Sequence, residues 1–171
     1  RDVVKTAERY NTPESFTAFV GYEWTSGGGN QLKGSMHRVV IYKEGAGKAN
    51  RMLPFSTIDS PNPEALWAYM EEYQQKTGGD ILAIPHNGNV SNGKMFSVEG
   101  WSGASINRSY AETRSRWEPL YEVTQIKGDS ETHPVLSPAD EFADFETWNS
   151  SAGPSYQGIK TPGWEKRKAS E

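Results

Sequence analysis

Short apolar runs alternate with helical patterns along most of the chain. Residues 1–11 place Val3, Val4 and Ala7 on one side, which predicts the end of a helix broken by Thr12-Pro13-Glu14. Phe16 to Trp24 is rich in β-branched and aromatic residues and predicts a buried strand ending near Glu23. Met36 to Tyr42 predicts a second strand. A helix follows a polar stretch: Asn62 is a capping residue, Pro63 suits the first helical position, and Glu64 suits the positive end of the helix dipole. Leu66, Tyr69, Met70 and Tyr73 recur at helical spacing, and Gly78-Gly79 ends the pattern.

Asp80 to His86 predicts a short apolar strand, and residues 87–105, rich in Gly, Ser and Asn, predict a long loop of the kind that often carries function. Ser109 to Trp117 reads as a helix and Tyr121 to Ile126 as a fourth strand. Ser137-Pro138-Ala139-Asp140 gives a third helix its cap, proline and acid, with Phe142, Phe145 and Trp148 on its apolar side. Short strands alternating with helices predict an α/β fold, a mainly parallel sheet or part of a barrel, with reactive groups at the carboxyl ends of the strands. Glu23 and His86 fall at such ends. The patterned domain covers residues 1–150, and residues 151–171 read as an irregular tail or the start of a further element.

Composition narrows the function classes. The chain of 171 residues is 35% hydrophobic and carries a net charge of −4, with no dense basic block before Lys166-Arg167-Lys168, so nucleic-acid binding is not indicated. No apolar run approaches the length of a membrane span. With no cysteine, disulfides and thiolate zinc sites are excluded, and any metal must be held by His, carboxylates, backbone oxygens or water.

The chain has three histidines. His86 leaves an apolar strand into Asn87-Gly88-Asn89, where an imidazole either binds a metal or moves a proton, or else caps a turn. His37 opens a strand and by itself reads as structural. Glu23 lies between Tyr22 and Trp24, where a carboxylate needs a partner, either a cation it ligates or a salt bridge to Arg38. His133 reads as part of a solvated turn. In the same stretch Lys127, Ser130 and Glu131 are candidates for binding an anion or a metal-bound water. Ser26-Gly27-Gly28-Gly29-Asn30 is glycine-rich but lacks the Lys-Ser/Thr ending of a phosphate loop.

Taken in order, Phe19-Val20-Gly21-Tyr22-Glu23-Trp24-Thr25, Met36-His37-Arg38-Val39-Val40, Leu82-Ala83-Ile84-Pro85-His86-Asn87 and Tyr121 to Glu131 resemble the DUF3604 family. Pro63 to Trp67 and Leu136 to Trp148 fit it as well. That family is uncharacterised and resembles the PHP (polymerase and histidinol phosphatase) superfamily of metal-dependent phosphoesterases. The resemblance implies a distorted β/α barrel with divalent metals (Zn, Mn or Fe) at its strand ends. It implies that Glu23 matches a metal-bridging glutamate, that His37 and His86 match the ligands that follow, and that Glu131 belongs to a Ser-Glu element. Asn87, Lys127 and Ser130 are then second-sphere or substrate candidates.

The superfamily's His-x-His and Asp-x-His motifs do not occur in this sequence, so the chain reads as an internal piece of a phosphate-ester hydrolase with a partial ligand set. A piece of a barrel implies uncovered edges and faces, hence self-association or strand exchange. The other reading is a non-catalytic carbohydrate- or ligand-binding module that uses aromatic platforms such as Trp24 and Trp101.

Overall fold

The computed structural model describes residues 2–26, 36–91, 93–132, 134 and 137–145. The chain runs α1 (Asp2–Tyr10), β1 (Val20–Ser26), β2 (Met36–Tyr42), α2 (Ala46–Ala49), α3 (Pro63–Thr77), β3 (Ile81–His86), α4 (Arg108–Trp117), β4 (Thr124–Gln125) and β5 (Gly128–Asp129). β2 and α3 begin and end where the sequence places them. Asn62 caps α3 by accepting a hydrogen bond from the Glu64 amide at 2.9 Å. Gly78 closes it in the left-handed conformation at φ 64°, which costs glycine no steric strain.

The expected mainly parallel, barrel-like sheet is not formed. Every strand pair among the described residues is antiparallel: a three-stranded sheet in the order β1-β2-β3 and a two-residue hairpin of β4 with β5. The reason lies in the segment between β2 and β3. A helix between two strands usually brings the chain back once, which makes the strands parallel. Here residues 43–62 have already run back along the sheet: the Thr57 hydroxyl donates to the Thr25 carbonyl, and the Ser26 hydroxyl donates to the Pro61 carbonyl at 2.6 Å. α3 then returns to the other end, where the Asp80 amide meets Glu44 Oε2 at 2.8 Å and the Lys43 amide meets the Asp80 carbonyl at 3.0 Å. Two passes between strands leave β3 antiparallel to β2.

Two further expectations are corrected. Tyr121–Ile126 is not a full strand; only Thr124–Gln125 pair, and the chain folds back at Ile126-Lys127. Val123 is 42% and Ile126 96% exposed, so the alternation in this run buries no face. Residues 137–145 form turns rather than a helix, with Phe142 and Phe145 exposed and only Ala143 buried. Asp140 takes the capping role there, accepting from the Phe142 amide at 2.9 Å. Trp148, His133, the glycines at 27–29 and the tail 151–171 lie outside the described residues.

The core sits between one face of the sheet and α3. Val20 and Trp24 of β1, Val40 and Tyr42 of β2, and Ile81 and Ala83 of β3 pack against Leu66, Trp67, Tyr69, Met70 and Tyr73. Trp117 of α4 and, from α1, Val4 and Ala7 extend the cluster. Arg38 is also on this face and is 1% exposed. Its Nε donates to Glu118 Oε1 at 2.8 Å, and the same oxygen accepts from the Trp67 indole at 2.8 Å, while Arg114 Nε reaches Glu118 Oε2 at 3.1 Å. The buried Arg38–Glu118 pair is tolerable because both carboxylate oxygens and Arg38 Nε and Nη1 have partners, although Arg114 Nη2 beside them is buried without one.

The other face of the sheet is open. Because side chains alternate along a strand, it carries Glu23 and Thr25 on β1, His37, Val39 and Ile41 on β2, and Leu82, Ile84 and His86 on β3. Ile41, Leu82 and Ile84, with the exposed Phe19 and Leu120, line an apolar groove of about 460 Å³. Among the described residues no helix is long and apolar enough to cross a membrane.

Candidate metal centre

The polar end of the open face is where β1 ends, β2 begins and β3 ends. The strand register places His37 directly opposite Thr25 on one side and His86 on the other. Glu23 is two residues before Thr25, so it shares that face and reaches His37 on the diagonal. Its carboxylate Oε1 lies 2.7 Å from His37 Nδ1. The rings of His37 and His86 stack with centroids 5.7 Å apart. One ligating atom from each of Glu23, His37 and His86 lies within 4.8 Å of the others.

The three residues sit in different surroundings. Glu23 is exposed, His37 half-buried and His86 buried. Burial holds the His37 imidazole below its ordinary value of 6.5; the Glu23 carboxylate pulls it up, while His86 and Lys127 push it down. His37 is thus biased toward the neutral form, the one with a lone pair to offer. His86 makes a long contact of 3.4 Å from Nδ1 to the Ile84 carbonyl, an arrangement that keeps the ring's other nitrogen available.

The pairing of Glu23 with Arg38, one of the two expected readings, is not found. Trp24 is the strand partner of Arg38, so Arg38 projects into the core and Glu23 projects away from it. A register with Glu23 opposite Val39 separates the two however close they lie in the sheet.

The other candidates gather around the chain that leaves His86. Asn87 is 1% exposed and adopts the left-handed conformation at φ 67°, which asparagine tolerates better than most residues. Its Oδ1 accepts from Gln125 Nε2 at 2.6 Å. Ser130 is buried; its hydroxyl donates to Asn89 Oδ1 at 3.1 Å and receives the Asn89 amide at 3.0 Å. Asn89 Nδ2 donates to the Lys127 carbonyl at 2.8 Å. The β4–β5 hairpin is therefore clasped to the turn that follows His86. Glu131 is exposed and is not among the converging ligand atoms; its amide donates to Asp129 Oδ1 at 2.6 Å.

Three residues of this site were not singled out from sequence. Thr25 Oγ1 lies 2.9 Å from His37 Nδ1, and strand alternation from Glu23 was the available signal. Asn89 and Gln125 form the clasp across chain segments distant in sequence, and no local pattern announces such a contact. Trp24 is buried in the core and offers no platform to a sugar, whereas Trp101 is 42% exposed.

A family model described as "Protein of unknown function (DUF3604)" matches residues 1–164. The chain belongs to the DUF3604 family. No curated protein and no solved structure matches this DUF3604 chain. Within the matched span lie all three converging residues, the turn after His86 and the hairpin that it holds.

Proposed function

We propose that Glu23, His37 and His86 hold a divalent cation, Zn²⁺, Mn²⁺ or Fe²⁺, and that the site serves phosphoester hydrolysis. The observation that carries this reading is the convergence of one carboxylate and two imidazoles within 4.8 Å on the open end of a sheet. The donor set fits: hard oxygen and borderline nitrogen ligands suit these cations, and no thiolate is needed. A bound divalent cation supplies a water of lowered pKa and neutralises charge on a phosphoryl oxygen.

The chain's own residues do the remaining work. Glu23 brings the negative charge and, being exposed, keeps the site open to solvent. His37, biased toward the neutral form by burial, offers a lone pair near neutral pH. His86, fixed at the end of β3, sets the third donor against the turn that begins at Asn87. The resemblance to PHP phosphoesterases points the same way. It also assigns ligands to His-x-His and Asp-x-His motifs that this sequence does not contain, so turnover belongs to a protein with the full set and this chain alone binds metal with little catalysis.

Metal analysis of the purified chain, stripped and reloaded, tests the site. About one divalent ion per chain is expected, lost in Glu23→Ala and in His86→Ala; unchanged metal content in both variants rules out this ligand set. The activity is tested on a protein that joins this chain to the full ligand set, with a panel of phosphomonoesters and phosphodiesters, and a lack of metal-dependent hydrolysis across the panel refutes it. The open apolar face supports a second proposal, that copies of the chain associate through it or exchange strands.

A further inference from the structure

Lys127 differs from its paired neighbours. Lys43, Lys48 and Lys76 each meet a carboxylate, at Asp80, Glu44 and Glu72. Lys127 is half-buried, and among the described residues no carboxylate lies within ion-pair distance of it. A lysine whose stem is partly covered and whose ammonium meets no carboxylate has its charge free for an anionic ligand.

The position of Lys127 is built rather than incidental. It occupies the two-residue turn between β4 and β5. Asn89 holds its carbonyl at 2.8 Å and engages Ser130 on the far side of the hairpin, while Gln125 on the near side bonds to Asn87 at 2.6 Å. Asn87 follows directly on His86 and Asn89 lies three residues after it, so the turn that carries the cation is registered against the ligand cluster. The nearest acid in the hairpin, Asp129, is occupied by the amides of Glu131 and Thr132 and by the Thr132 hydroxyl.

We propose that the site takes a phosphomonoester dianion in preference to a phosphodiester monoanion, with Lys127 as the residue that discriminates between them. This rests on the metal-binding reading above. One divalent cation, one lysine and one glutamate, with the two imidazoles neutral as metal ligands must be, leave a net charge of two positive at the site, which complements a dianion. A phosphodiester carries a single negative charge, and its second ester group replaces the oxygen that Lys127 would bind. A phosphomonoester is dianionic above its second ionisation, at about pH 6.

The test uses metal-loaded chain freed of excess metal, with metal content measured first. Phenyl phosphate and methyl phenyl phosphate are then titrated by calorimetry at about pH 8, above that second ionisation. In the unsubstituted protein phenyl phosphate is expected to bind at least about tenfold more tightly, as charge-assisted contacts to a second cation require. Lys127→Met is expected to bring the two within about threefold of each other by weakening phenyl phosphate, and Lys127→Arg to keep the preference. Equal binding by the unsubstituted, metal-loaded protein overturns the proposal and leaves the metal site standing. So does a preference that survives Lys127→Met at unchanged metal content. Failure of the unsubstituted chain to hold metal overturns both.

Discussion

His37 and His86 stand directly opposite each other on β2 and β3, with their rings stacked at 22°. Burial of His37 disfavours its protonation, and the facing His86 ring acts in the same direction. The His37 ring is therefore expected to titrate below 6.5 in metal-free protein. Between its lowered value and 6.5 the unfolded chain binds more protons than the folded one, so stability rises with pH through that window and levels off above it. The contribution is lost as pH falls through the folded-state value. Glu23→Gln removes the main upward influence and is expected to lower the His37 value further. Ring-proton titration by NMR reads both effects, and a value at or above 6.5 in the unsubstituted protein defeats the prediction.

Glu118 gathers Arg38, Arg114 and the Trp67 indole around one buried carboxylate. Truncation to Ala leaves the Arg38 guanidinium in the core without its counter-charge. We expect Glu118→Ala to cost about 3–5 kcal/mol of stability, measured by urea denaturation. A loss below about 1 kcal/mol would mean that water readily replaces the carboxylate.

Asn89 makes three of the bonds that hold the β4–β5 hairpin to the turn after His86. In Asn89→Ala the hairpin should open more often. The Ser130 amide, bonded to the Val123 carbonyl at 2.7 Å, is expected to exchange with solvent about tenfold faster, as loss of about 1–1.5 kcal/mol implies. An unchanged exchange rate shows that the hairpin stands without the clasp.

Val39, Ile41, Leu82 and Ile84 form an apolar surface with no covering layer among the described residues. Concentration-dependent association is expected by light scattering. Ile41→Lys with Leu82→Gln should shift the population toward monomer while the core on the opposite face keeps its packing. A chain that is monomeric at high concentration before any substitution disproves this.

Elements governed by local chemistry were legible in the sequence. Met36–Tyr42 declared itself by β-branched and aromatic content, and Pro63–Thr77 by Asn62, Pro63 and the glycine pair after Thr77. The strand directions were not legible, because the return run of residues 43–62 has no regular pattern and only α3 announces itself. The same limit explains Arg38. Sequence proximity in the sheet suggested Glu23, yet side-chain alternation sends the two to opposite faces, and the true partner lies at the end of α4. Of the candidate ligands, residue type and strand position brought Glu23 and His86 forward. His37 joined them through the ordered resemblance, and the register then set all three on one face.

The double pass between Tyr42 and Ile81 also bears on how the site comes into being. The β2–β3 pairing that brings His37 to His86 closes a long loop that contains α3, and loop entropy and non-local pairing slow closures of that kind. A cation shared by those two histidines would staple that loop in the native ensemble while finding no such pair in the unfolded chain. Metal uptake would then report completion of folding, and chelation would act as a denaturant aimed at the β2–β3 pairing.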